Sequence, residues 1–434
     1  MIMEQTIQQR IAAIRRGNVP TGYRKIKRIG IFPEKWSKTK IGDFIQFYNE
    51  KSTKNNQYPV LTSARSGLFF QKDYFEDQVT TENNTGYNII PRGFFTYRSR
   101  SDDGSFYFNC NTIIDRGVIS CFYPVFQFDT TKVDSNYIFI CLNELLKEQV
   151  FCEVAGTSQL VLSEKMLSQM TLVLPPLDEQ RRIAEILWCC DRVIALKKEL
   201  IAEKKKQKKA LMQKLLNPDS GFRLPGFSGD WNTCFLRDLY DFKKSTSIPR
   251  SQLGNSGVAY LHYGDIHKST KYHIDVLKKL NDLPKLSTTD DYSKYMLLNG
   301  DVVFVDASED YDGVSKYTVI KNPTSIPFIA GLHTIVARSK NNLLAIDFQQ
   351  FCFQNECVKQ QFFFYASGMK VFGLNAENLG KIKISIPSTD EQQAIADILS
   401  AADKEIDLLE QELAQQEQKK KSLMQLLLTG TVRV

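Results

Sequence analysis

Long apolar runs are missing from this sequence. Nothing in its 434 residues approaches the roughly 18–20 consecutive apolar residues that span a bilayer. The opening stretch MIMEQTIQQRIAAIRRGN is polar and amphipathic, without the apolar centre of a secretory signal, so the expected location is cytoplasmic with no membrane partner. None of the nine cysteines forms a CxxC pair, which excludes a zinc ribbon or a thioredoxin-type site and leaves buried, reduced thiols as the expectation. No GxxxxGK[ST], no glycine-rich cofactor loop and no Asn/Asp-Pro-Pro-aromatic motif occurs. His262, His267 and His273 are spaced by five and six, which suits neither a helical pair nor a known zinc pattern. No metal or cofactor is therefore expected in this chain. A net charge of +7 is compatible with nucleic acid but decides little.

What the sequence does have is a repeat. LPPLDEQRRIAEIL at 174–187 returns as IPSTDEQQAIADIL at 386–399, an offset of 212 positions. The offset holds without a gap from Gly156 and Gly368 to KKALMQKLL (208–216) and KKSLMQLLL (420–428). A period this long is not a solenoid's; it describes a duplicated unit made of a globular part followed by a helix. The globular parts echo each other weakly. IFPEKWSKTKIGDF (31–44) resembles GFSGDWNTCFLRDL (226–239), with Trp36 against Trp231, while 45–150 and 240–360 share little.

Residues 178–216 and 390–428 read as two long helices. Acids open each at the positive end of the helix dipole, and Ser388 with Glu391, or Thr389 with Gln392, fits a capping box. Ile183, Leu187, Ile194, Ile201, Leu211 and Leu215, and then Ile395, Leu399, Ile406, Leu409, Leu413, Leu423 and Leu427, follow the 3–4 spacing of a coiled-coil seam. The seam is interrupted by Lys197, Lys204 and Lys208 in the first helix, and by Gln416 and Lys420 in the second. The first helix is basic toward its end and the second acidic toward its start, so antiparallel pairing is favoured. The expected fold is α+β: two globular mixed α/β domains separated by two long antiparallel coiled-coil helices, with an internal pseudo-twofold repeat.

Two variable domains alternating with two matched helices, with LPPLDEQ and IPSTDEQ at the helix starts and LMQKLL and LMQLLLTGTVRV at their ends, resemble the specificity subunit of a type I restriction–modification system over essentially the whole chain. The resemblance implies an N-terminal arm (1–27), target recognition domain 1 (28–177), helix 1 (178–216), target recognition domain 2 (217–389), helix 2 (390–428) and a tail (429–434). It implies a non-catalytic subunit in which each domain reads one half of a bipartite site in double-stranded DNA. The helices would set the spacing and dock two methylase subunits, with restriction subunits joining for cleavage. S-adenosylmethionine, ATP and Mg are expected on those partners. The alternative is a non-enzymatic adaptor that holds two protein-binding modules apart on a coiled coil.

The best reading loop in the first domain is GFFTYRSRSDDGSFYF (93–108), offering Tyr97, Arg98, Ser99, Arg100, Ser101 and Asp102 before a turn. Arginine bonds guanine O6 and N7, and aspartate accepts from cytosine N4. In the second domain NGDVVFVDASEDYDGVSKY (299–317) has a turn signal before a buried strand, and then Asp306, Ser308, Glu309, Asp310 and Tyr311. So many acids near phosphates are unfavourable unless some accept from bases or turn away. A second candidate element precedes each helix: Thr157, Ser158 and Gln159 in GTSQLVLS, and Met369 and Lys370 in GMKVFGLN. The aromatic runs at 122–126 and 360–365 read as core.

Overall fold

The computed structural model describes residues 2–27, 29–75, 83–146, 160–287, 291–309, 311–368 and 371–434. The chain forms two compact units, one of residues 1–196 with 413–434 and the other of 197–412. These do not follow linear domain boundaries. Each long helix is shared, because each unit packs one half of the first helix, Leu177–Leu215, against one half of the second, Thr389–Leu428.

The first unit is built on a four-stranded antiparallel sheet in the order Phe108–Cys110, Phe95–Tyr97, Val125–Phe128, Ile45–Tyr48. Aromatic residues favour such pleated, buried surfaces, and Phe95, Tyr97, Phe108, Phe126 and Phe128 fill its core beneath the helix Ser135–Glu144. Ile183, Leu187 and Leu427 join the same core, so the helix ends are anchored in the unit. The second unit carries a five-stranded sheet in the order Tyr240–Lys244, Thr334–Ser339, Val302–Val305, Tyr317–Lys321, His273–Asp275, antiparallel except for its last pair. Leu215, Ile395 and Leu399 belong to its core.

Within each unit the helix halves run antiparallel. The second unit pairs Lys197 with Glu412 at 2.7 Å, Lys204 with Glu405 at 2.6 Å and Lys208 with Asp403 at 2.5 Å. The first unit pairs Lys420 with Asp191 at 2.6 Å. Lys208 and Lys420, like Asp191 and Asp403, stand 212 residues apart, so the same cross-helix pair occurs once in each unit. These half-buried lysines, which interrupt the apolar seam in the sequence, are where the orientation is selected. At about 0.2–1 kcal/mol per exposed pair, they choose a direction while apolar packing at Ile183, Leu187, Ile201, Leu215, Ile395, Leu399, Ile406 and Leu427 supplies the stability. Ile194, Leu211, Leu409, Leu413 and Leu423 are half-buried along the same stripe.

The duplicated Asp-Glu-Gln is a latch. Gln180 Nε2 donates to Pro175 O at 2.9 Å while its Oε1 accepts from Asp134 N at 3.0 Å. Gln392 repeats this with Pro387 O at 3.0 Å and Ala345 N at 2.9 Å. Each glutamine thus ties its helix start to the backbone just before a helix of the globular part. Each buried glutamate accepts an arginine from the chain that follows a long helix. Arg223 Nε donates to Glu391 Oε1 at 2.8 Å, and Arg433 Nη2 to Glu179 Oε2 at 2.6 Å. The capping box at the second helix is half formed: Ser388 Oγ accepts from Glu391 N at 3.4 Å, but the Glu391 carboxylate is committed to Arg223.

The described cysteines are free, and Cys152 lies outside the described residues. The expectation of buried thiols needs correction: Cys141 and Cys352 are buried, whereas Cys121, Cys189 and Cys357 are exposed. Among the described residues no helix is long and apolar enough to cross a membrane, and no cluster of three or more metal-ligating side chains occurs.

Candidate nucleic-acid interface

Two candidate segments that lie far apart in the first unit's sequence are paired. Arg100–Ser101 forms a short antiparallel ladder with Leu160–Val161, Arg100 opposite Val161 and Ser101 opposite Leu160. Leu162 N donates to Ser99 O at 2.9 Å. The arm alternates as extended chain should: Tyr97 and Ser101 are buried, and Arg98 and Arg100 are exposed. The Arg100 guanidinium lies 4.2 Å from the ring centroid of Phe122, whose carbonyl accepts from Ser99 N at 2.9 Å and Ser99 Oγ at 2.8 Å. Asp102 is exposed, and beyond it the Asp103 carboxylate gathers Ser105 N at 3.0 Å, Ser101 Oγ at 2.9 Å and the Arg65 guanidinium. Those donors, Ser105 foremost, hold it ionised down to a pKa of about 2. Arg65 tips the hairpin Leu61–Ala64/Gly67–Phe70, which Asn109 pins by donating to Ser63 Oγ at 2.7 Å and Ala64 O at 2.9 Å.

The second unit builds the same arm from different residues. Ala307–Ser308 pairs antiparallel with Phe372–Gly373, and Leu374 N donates to Asp306 O at 2.8 Å. Leu162 and Leu374 are 212 apart, so Asp306 occupies the place of Ser99, and Ser308 that of Ser101. His333 replaces Phe122, with its carbonyl accepting from Asp306 N at 3.2 Å. Gly368 stands at φ +135, where a Cβ would lie 1.9 Å from Val371 O, so glycine is required there; its repeat partner Gly156 lies outside the described residues.

The structure sorts the candidate residues. Tyr97 is a correction: it is 0% exposed, and its hydroxyl donates to Leu162 O at 3.1 Å, so it is a core residue. Ser101 and Ser308 are buried within the arms, and Ser99 is half-buried. Arg98, Arg100, Asp102 and Glu309 are exposed, and Asp306 is half-buried. Thr157, Ser158, Gln159, Asp310, Met369 and Lys370 lie outside the described residues, as does the side chain of Tyr311, whose backbone opens the short helix Tyr311–Val314. Phe122 corrects the reading of 122–126 as core, being 45% exposed although Val125 and Phe126 are buried. Phe122, Arg65 and His333 flank the arms and carry no sequence signal that singles them out. The histidines gather differently from their spacing: Tyr263 has the rings of His262 at 4.5 Å, His333 at 5.3 Å and His267 at 5.9 Å.

Comparison with known proteins fits this duplicated design. A family model, the type I restriction modification DNA specificity domain, matches twice, over residues 33–205 and 228–418. The MjaVIII type I restriction enzyme specificity subunit of Methanocaldococcus jannaschii is 24% identical over 431 residues, covering 93% of this chain and 94% of that protein. The S subunit of the type I restriction–modification system of M. genitalium shares the fold at a TM-score of 0.52 and 15% identity, covering 93% of this chain and 97% of its own. A chain from a structural study of complex assembly and conformational transition in the type I system gives a TM-score of 0.58 at 15% identity, covering 92% of this chain and 99% of its own. With both of its units matched, the chain belongs to the type I restriction modification DNA specificity domain family.

Proposed function

We propose that this chain is the DNA-recognition subunit of a type I restriction–modification complex in which each unit reads one half of a split duplex site. The observation that carries this reading is the paired arm, built at the same place in both units from unlike residues. Arg98 and Arg100 give the first arm donors suited to guanine; Asp306 and Glu309 give the second arm acceptors suited to exocyclic amines. Two chemically different arms suit a site whose halves differ in sequence.

In this reading the long helices set the separation of the half-sites and dock two methylase subunits. Exposed apolar residues on them support that role: Trp188, Val193 and Leu196 in the first unit, Ile398 and Leu408 in the second. Restriction subunits join for cleavage. S-adenosylmethionine, ATP and Mg belong to the partners, catalysis is theirs, and the complex works in the cytoplasm.

The arm itself is tested by Arg98→Ala and Arg100→Ala. At least one of them should cost about 1–3 kcal/mol of binding and relax discrimination at one position of the half-site read by the first unit. A residue that contacts only phosphate would instead weaken all sites alike and flatten the salt slope by about one. Binding is measured at several salt concentrations on the methylated motif and its single-base variants. Wild-type affinity and discrimination in both variants would exclude this arm as the reading surface.

A further inference from the structure

An acidic arm presented to a polyanion needs its charge compensated, and the second unit holds the compensating group. Asp306 is half-buried on the arm, and among the described residues its Oδ1 is buried without a hydrogen-bond donor. The Nδ1 of His333 lies 3.3 Å from that oxygen, close but off a hydrogen-bond line. With Oδ1 enclosed and the side chain 34% exposed, Oδ2 is the carboxylate oxygen left for a ligand. His333 sits at φ +58 on the turn before the strand Thr334–Ser339, where its carbonyl also holds Asp306 N.

We propose that His333 and Asp306 act together as a specificity-determining pair of the second unit, His333 neutralising Asp306 so that Oδ2 can accept a hydrogen bond from an exocyclic base amine. This rests on the reading that the second unit contacts DNA. An ionised Asp306 alone would meet the phosphates with a bare negative charge, whereas a protonated imidazole 3.3 Å away makes the pair neutral. Burial, the larger influence, raises the Asp306 pKa, and His333 opposes that shift. Removing the imidazole's proton would remove that neutralisation, so recognition by this arm should depend on pH. The first unit has no such dependence at the matching place, where Phe122 stands for His333 and Ser99 for Asp306.

Among the described residues, the following groups surround the pair. The rings of Tyr263 and His333 stand nearly perpendicular, at 87°, with centroids 5.3 Å apart. His262 and His267 flank Tyr263; burial lowers the pKa of His262, and its Nδ1 accepts from Gly264 N at 3.0 Å. Asp265 pairs with Arg250 at 3.3 Å, Lys268 ends the short helix Tyr263–Lys268, and Glu309 is exposed on the arm. A Cβ at Gly313 would lie 1.9 Å from Ser308 Oγ and 2.6 Å from His267 Cε1, so the arm is packed tightly from behind.

The test uses the full chain with its methylase partner, bound to duplexes carrying the methylated motif or single-base variants in either half, at pH 6.0 and 8.0. Wild-type discrimination in the second half should fall about tenfold on raising the pH, and discrimination in the first half should hold. His333→Asn, which tolerates the left-handed backbone, should show the weakened second-half discrimination at both pH values. Asp306→Asn, a change at a partly exposed isostere, should also lose the pH dependence. Wild-type discrimination at pH 6.0 in both variants overturns the pair. If the wild type fails to discriminate anywhere in the second half, the underlying reading of the second unit falls, and the pair with it.

Discussion

Asp301→Ala is expected to destabilise the second unit by about 3–5 kcal/mol, the cost of stripping one partner from a buried ion pair. Asp301 is 1% exposed. Its Oδ1 accepts from Arg338 Nε at 2.9 Å, and its Oδ2 accepts from Arg338 Nη2 at 2.7 Å and Leu298 N at 2.8 Å. Arg338 Nη2 also donates to Met296 O at 2.7 Å. Removing the carboxylate takes the acceptor of Leu298 N and leaves the guanidinium with Met296 O, next to the strand Val302–Val305, which leads into the second arm. A domain is typically stable by only about 5–15 kcal/mol, so the loss is a large fraction. Hydrogen exchange on Val302–Val305 and Thr334–Ser339 should report it, while Phe95–Tyr97 in the first unit keeps its protection. Asp301→Leu combined with Arg338→Met should recover most of the loss, because an apolar pair leaves no charge unpaired. Unchanged exchange in Asp301→Ala would show that the pair contributes nothing.

The second large effect concerns the latches. Glu391→Ala should release the segment carrying Arg223 from the start of the second helix, again at about 3–5 kcal/mol, because the Glu391 side chain is 2% exposed and its two oxygens hold Arg223 Nε and Nη2. Glu179→Ala should do the same in the first unit, where Arg433 and the Trp36 indole N–H, at 3.3 Å, are the donors. Deleting 429–434 should therefore resemble Glu179→Ala and leave the second unit intact. Denaturant melts with hydrogen exchange on each unit separate the two cases. If the tail deletion is silent while Glu179→Ala is severe, Arg433 is not the partner that matters.

These latches show what sequence does and does not carry. The Asp-Glu-Gln repeat is visible because it is local and duplicated, and the helices because 3–4 spacing is a short-range signal. The partners Arg223 and Arg433 are not visible: each pairs with a glutamate that only folding brings near. The same holds at the arms. Both strands of each arm stand out as separate segments, since turn residues and glycines mark them, but their pairing is long-range. Tyr97 reads as part of an exposed loop because it adjoins Arg98, whereas alternation turns its side chain into the core. Phe122 is the opposite case, an aromatic in an apolar run that the turn before Val125–Phe128 leaves outside. His333 has no neighbours in sequence that announce it. The Asn299-Gly300-Asp301 turn is legible from Gly300, at φ +87, while the ion pair of Asp301 depends on Arg338, 37 residues on.

If each unit carries the information for one half of the site, the two halves can be exchanged separately. The most direct measurement replaces residues 28–172 with the corresponding segment of another family member, leaving the helix starts with Glu179 and Gln180 in place, and maps methylated DNA by single-molecule sequencing in a strain that supplies the partner methylase. The expected result is a motif in which one half is new and the other is retained. A motif changed in both halves, or unchanged in both, would contradict it.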